Sequence, residues 1–225
     1  MLQERLHELK GLCVEFTTLV IHMTDGSISG LIERDEQRLR TVIEEDEPRA
    51  NAFEIDIEER CTNLMAQFHP LAKDLRTILM IYNMSGSLER MGDHAVNIAQ
   101  SSRELIMQPP IKKFIDIPRM NELVRGMLSD VVSSLIHEDY DLALKICQRD
   151  DTIDGLRDQI TRELITHMTE NPSRITGCIH ILRIAENLER IADLTTNISE
   201  DIIFISQGKV IKHHILDGTD TPPTV

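Results

Sequence analysis

The sequence predicts an all-α protein of six helices, arranged as two tandem, pseudo-repeated three-helix bundles. Three observations carry that reading. Of the 225 residues 41% are hydrophobic but only 3% aromatic, and Trp is absent. Such a core, built from Leu, Ile, Met, Val and Ala, suits helix packing better than a sandwich or barrel. Apolar residues recur at helical spacing over long segments, and no stretch alternates as a strand bounded by hairpin turns. The chain is also written twice. Residues 75–98 align with 175–198 without a gap, and "LIERDEQRLRTVIEED" (31–46) resembles "LIHEDYDLALKICQRD" (135–150) at an offset of 104.

The prolines punctuate the elements, because proline fits the first turn of a helix and breaks its interior. The first helix is expected over 3–45, where Gly11, Gly26 and Gly30 weaken it locally and mark close packing or a bend. The second runs over 48–68 from Pro48. The third runs over 70–107 from Pro70, with Leu75, Ile78, Leu79, Tyr82, Leu88, Met91, Ala95 and Ile98 at helical spacing. "MQPPIKKFIDIP" reads as the linker between halves. Helices over 117–149, 151–170 and 173–207 then repeat the order long, short, long. The expected units are residues 1–108 and 115–208, with a poorly ordered tail over 209–225.

Charge and cysteine usage narrow the function. A formal net charge of -14 repels phosphate backbones, so nucleic acid is not an expected partner. Cys13, Cys61, Cys147 and Cys178 are scattered, which favours free thiols in a reducing compartment over structural zinc or disulfides. The apolar stretch "CVEFTTLVIHM" contains Glu15 and His22 and is too short to span a bilayer. A cytoplasmic protein with no targeting segment is expected. With no G-x-S-x-G, P-loop or glycine-rich phosphate cradle, it is not expected to be an enzyme.

The repeated frame carries the chemistry. "LERMGDHAVNI" (88–98) and "LERIADLTTNI" (188–198) share Leu, Glu, Arg, Asp, Asn and Ile while the residues between them differ. Residues four apart share a helix face, so Glu89 with Asp93, and Glu189 with Asp193, point the same way. Like charges at that spacing repel by a few tenths of a kcal/mol. One such pair is an ordinary solvated face, with Arg90 or Arg190 nearby as screening. Two copies in one frame offer preset pairs of hard oxygen ligands. Asn97 and Asn197 extend each face by a turn. In the second half Asp150 and Asp154 begin the short helix and supply a facing pair. In the first half the facing pair is Glu47 with Asn51, or begins at Asp46. The second-half site is therefore expected to be the more complete. Acids at a helix start also complement its dipole, the structural alternative.

These residues, together with the run "DLRTILMIYNMSGSLER", resemble the PhoU family of phosphate-uptake regulators over roughly residues 3–207. The resemblance implies two three-helix bundles whose E/D-x-x-x-D motifs bind metal ions or clusters. It also implies a regulator that couples a phosphate ABC transporter ATPase to a sensor histidine kinase and restrains the phosphate-starvation response, in association with membrane complexes. Asn51 departs from the pattern where an acid would complete the first pair. Arg174 and Ile175 stand where the first half has Asp74 and Leu75. Carboxylate ligands do not choose among iron, zinc, manganese, nickel and magnesium. Two other classes stay open: a metal-dependent hydrolase, which needs an enclosed pocket around the acids, and a helical adaptor without metal. The E-x-x-H of Glu4 and His7 has no second copy, which disfavours a di-iron oxidase. Exposed bundle faces could support a homodimer.

Overall fold

The structure, a computed structural model, describes residues 1–208. The expected tail over 209–225, with His213 and His214, lies outside the described residues. All regular structure among the described residues is helical. Helix α1 (Leu2–Glu33) ends where Arg34 turns left-handed at φ 56° and the Asp35 N–H bonds Gly30 O at 2.9 Å. Asp35 then caps α2 (Glu36–Thr41), its carboxylate accepting the Arg38 N–H at 3.1 Å. A π-helical turn (Val42–Asp46) carries the rod into α3 (Glu47–Phe68) without a break. Pro48 explains the wider turn, since its ring collides with the carbonyl four residues back in a regular α-helix. Helix α4 (Ala72–Ile106) completes the first half.

The second half repeats this plan. Helix α5 (Asp116–His137) ends at left-handed Glu138, φ 51°, and Asp139 caps α6 (Tyr140–Cys147) by accepting the Leu142 N–H at 3.0 Å. A turn at 148–149 leads into α7 (Asp150–Glu170), where the first half has its π-turn. A 3-10 turn (Pro172–Arg174) precedes α8 (Ile175–Gln207), which stops at Gly208 with φ 67°. Six helical rods result, as the repeat predicts. The helices expected over 3–45 and 117–149 are each cut about twelve residues short of those ends. The cause is the same in both: a left-handed residue followed by a capping aspartate.

Each half is an up-down-up unit. Cys61 on α3 meets Ile78 O on the antiparallel α4, while Ser27 on α1 donates to Ala95 O of the parallel α4 at 2.8 Å. The halves meet through antiparallel pairs, a pseudo-two-fold arrangement. Asn121 of α5 donates to Asp25 of α1 at 2.7 Å, and Lys10 of α1 pairs with Glu138 at 2.7 Å. On the other side α4 lies against α8, with Arg76 stacked over Phe204 and His94 bonded to Asn187. One apolar core runs through both halves, from Leu9, Phe16 and Met23 through Ile81, Leu88 and Met91 to Ile181, Leu188 and Ile191. Each such side chain is worth roughly 1.5–3 kcal/mol of burial. Gly30 lets α2 fold onto α1: a Cβ there would lie 2.5 Å from Leu39 Cδ2.

Candidate functional site

Helix α4 carries Glu89 and Asp93 on the face it turns toward α3. Leu88, Met91 and Gly92 between them point inward and are buried. A Cβ on Gly92 would lie 3.4 Å from the Ala50 Cβ, so the two helices run close beneath the acids. Across from the pair, α3 presents Glu47 and, two turns on, Glu54, whose Oε1 reaches over α4 at Gly86. Burial, then the charges of Asp93 and Glu54, push the Glu89 carboxyl above its ordinary range; Arg90 opposes this and Glu47 adds to it. Glu54 is raised for the same reasons, by burial and by the charges of Glu58 and Asp93. Arg90 itself bonds Gly86 O at 3.1 Å along its own helix. Among the described residues none of these four acids forms an ion pair, and the α3 arginines Arg49 and Arg60 pair with Asp46 and Asp56 instead.

The second half assembles its acids around a cation of its own. Arg157 of α7 sits with Nη1 3.7 Å from Glu189 Oε1 of α8. Its Nη2 lies 3.1 Å from Asp158 and 3.8 Å from Asp154. Arg190 adds a contact to Glu189 at 3.8 Å. Glu189 is still raised, by burial first and then by Asp193, with Asp154 contributing and the two arginines opposing. Asp193 is raised by burial and Asp154, against Arg190, Arg157 and His94. Asp150 heads α7, and its side chain lies outside the described residues.

The acids paired by sequence thus do face the preceding helix in both halves, with two exceptions. Asn51 is exposed, and its side chain makes no hydrogen bond among the described residues. Asp46 is buried in the π-turn and engaged by Arg49 at 2.7 Å and His22 at 3.8 Å. Asn97 and Asn197 are exposed beyond their pairs. Glu54 and Arg157 were not singled out from the sequence, though the signal was there. Each lies seven residues after the first member of its facing pair, Glu47 or Asp150, and so returns to the same helix face. With that alignment, Glu54 in one half corresponds to Arg157 in the other. The two groups differ in compensation: among the described residues the first-half acids make no ion pair, while those of the second half share Arg157. As placed, no three His, Cys, Asp or Glu side chains among the described residues converge tightly enough to grip one ion. Glu47, Glu54, Glu89 and Asp93 are oxygen donors of the kind a hard cation takes, whereas in the second half Arg157 already lies against Glu189 and Asp154.

Comparison with known proteins places these features in context. The PhoU domain is matched twice, over residues 14–102 and 117–202. The phosphate-specific transport system accessory protein PhoU homolog of Aquifex aeolicus is 38% identical over 210 residues, 93% of this chain and 95% of that protein. The crystal structure of PhoU from Pseudomonas aeruginosa superposes with a TM-score of 0.89 at 28% identity, covering 93% of this chain and 100% of that one. The phosphate transport system regulatory protein PhoU from Streptococcus pneumoniae gives 0.87 at 26% identity, covering 95% of this chain and 100% of that one.

Proposed function

This chain belongs to the PhoU family, and from that premise we propose that it is an accessory regulator of a phosphate-specific transport system, with a cation held on its acidic helix faces. The transport role is supported by likeness to PhoU proteins over nearly the whole chain, at both sequence and fold level. The cation is supported by one observation above others. Four acids, Glu47, Glu54, Glu89 and Asp93, lie where α3 meets α4, and none of them forms an ion pair among the described residues. Their mutual repulsion is relieved by a hard cation, and their oxygens suit iron, manganese, magnesium, zinc or nickel according to availability.

Glu89 and Asp93 would hold the ion from α4, and Glu54 and Glu47 from α3. When bound, the ion would screen the acids and give the face a charge that a partner can read. In the second half Asp154, Glu189 and Asp193, with Asp150, can receive a cation only by releasing Arg157, so binding there is weaker. The protein acts by contact rather than by turnover: it links the transporter ATPase to the sensor histidine kinase and restrains the phosphate-starvation response from the cytoplasm. Among the described residues no helix is long and apolar enough to cross a membrane.

A pull-down of the full chain with the transporter ATPase and with the sensor kinase, with and without added manganese, tests this role. Capture of both, strengthened by metal and weakened by Glu89→Gln with Asp93→Asn, is expected. Capture of neither under any condition contradicts it.

A further inference from the structure

A cleft of about 800 Å³ opens between α4 and α8, and none of Glu89, Asp93, Glu189 or Asp193 lines it. Its lining is unusual for a chain of formal net charge -14. Arg103 comes from α4, Arg183 and His180 from α8, and Asn97, Gln100 and Asn187 contribute amides. Both arginines are exposed, and neither guanidinium makes an ion pair or hydrogen bond among the described residues. His180 Nδ1 is buried and has no hydrogen-bond partner among the described residues. Asn187 is held in place, donating to Arg183 O at 2.6 Å and meeting His94 Nδ1 at 2.8 Å. Glu104 is the single acid of the lining.

The internal repeat supplies a control for the bland reading, that these residues merely belong to the duplicated frame. At the repeat-related positions, one hundred residues away, Arg103 corresponds to Ile203 and Gln100 to Glu200. Arg183 likewise corresponds to Asn83 and His180 to Met80. Every basic member of the cleft is missing from the other copy, and an acid replaces one of its amides. The frame therefore does not require the basic residues, and neither does core packing, since both arginines are exposed.

We infer that this cleft is a binding site for a small, multiply charged oxyanion of the phosphate class. Two guanidiniums on facing helices offer forked N–H donors to a tetrahedral oxyanion, and charge-assisted bonds of that kind are the strong ones. The amides and His180 supply neutral donors around it. The lining contains no Phe, Tyr or Trp, and its two guanidiniums suit the anionic group itself. This site is independent of the cation reading, and the two can fail separately.

The test is calorimetric titration of the full chain with inorganic phosphate and with pyrophosphate, in chelator so that no metal can bridge an anion to the acidic faces. One site per chain is expected, weakened at least about tenfold by Arg103→Ala with Arg183→Ala. The control Arg119→Ala removes another exposed arginine outside the cleft and should leave affinity unchanged. Sulfate should compete, as a second tetrahedral oxyanion. Absence of binding by either probe overturns the inference. So does equal loss in the Arg119→Ala control, which would mark attraction by basic surface in general.

Discussion

At the scale of single residues, the contrast between Glu54 and Arg157 governs the behaviour of the two halves. Glu54 and Glu89 are raised above the ordinary carboxylate value of 4.5, so the folded state binds their protons more tightly than the unfolded state does. Their contribution is therefore present below that value and is lost as pH climbs through the raised folded one. Metal-free protein should thus lose stability as pH rises above about 4.5, from these groups, when followed by denaturant titration in chelator. Glu89→Gln should recover a few tenths to about 1 kcal/mol of it near neutrality. A variant less stable than wild type in chelator would show that the acids are structurally satisfied as they stand. In the second half, Arg157→Ala leaves Asp154, Glu189 and Asp193 without their guanidinium. It should destabilise metal-free protein and raise its response to added cation, read as the shift in melting temperature with manganese. Half of this contrast was legible in the sequence. The pairs Glu89/Asp93 and Glu189/Asp193 follow from four-residue spacing alone. Glu54 and Arg157 required following the facing helix one further turn, and their opposite charges decide which group of acids is compensated.

At the scale of elements, the breaks at Arg34–Asp35 and Glu138–Asp139 shape the bundle. Helical periodicity continues through both, which is why the sequence reads long helices there. The capping aspartates were the available sign, and a cap is a local hydrogen bond that periodicity does not register. Asp35→Ala and Asp139→Ala should each cost about 1 kcal/mol by chemical denaturation, because each removes the acceptor for an otherwise orphaned N–H. Gly30→Ala should cost more, about 1–3 kcal/mol, since its Cβ would meet the fully buried Leu39 where α2 turns onto α1. Gly11 has open space at its Cβ position, and Gly11→Ala should be neutral or mildly stabilising. Equal effects at the two glycines would contradict the close approach at Gly30.

At the scale of the whole molecule, the duplicated halves share one core and are joined along α4–α8 and α1–α5. The repeat in the sequence announced two units. It did not announce their interface, because the seam is made from the same apolar positions that build each unit. Unfolding should accordingly be a single cooperative transition by both helicity and tertiary probes, rather than two steps. The proposed cation is placed on the first-half acids, with the second half countered by Arg157. Elemental analysis of full chain purified without chelator tests it most directly, comparing wild type, Glu89→Gln with Asp93→Asn, and Glu189→Gln with Asp193→Asn. The account predicts bound metal in wild type, most of it lost in the first variant and most of it kept in the second. No metal above background in wild type, or loss confined to the second variant, would contradict it.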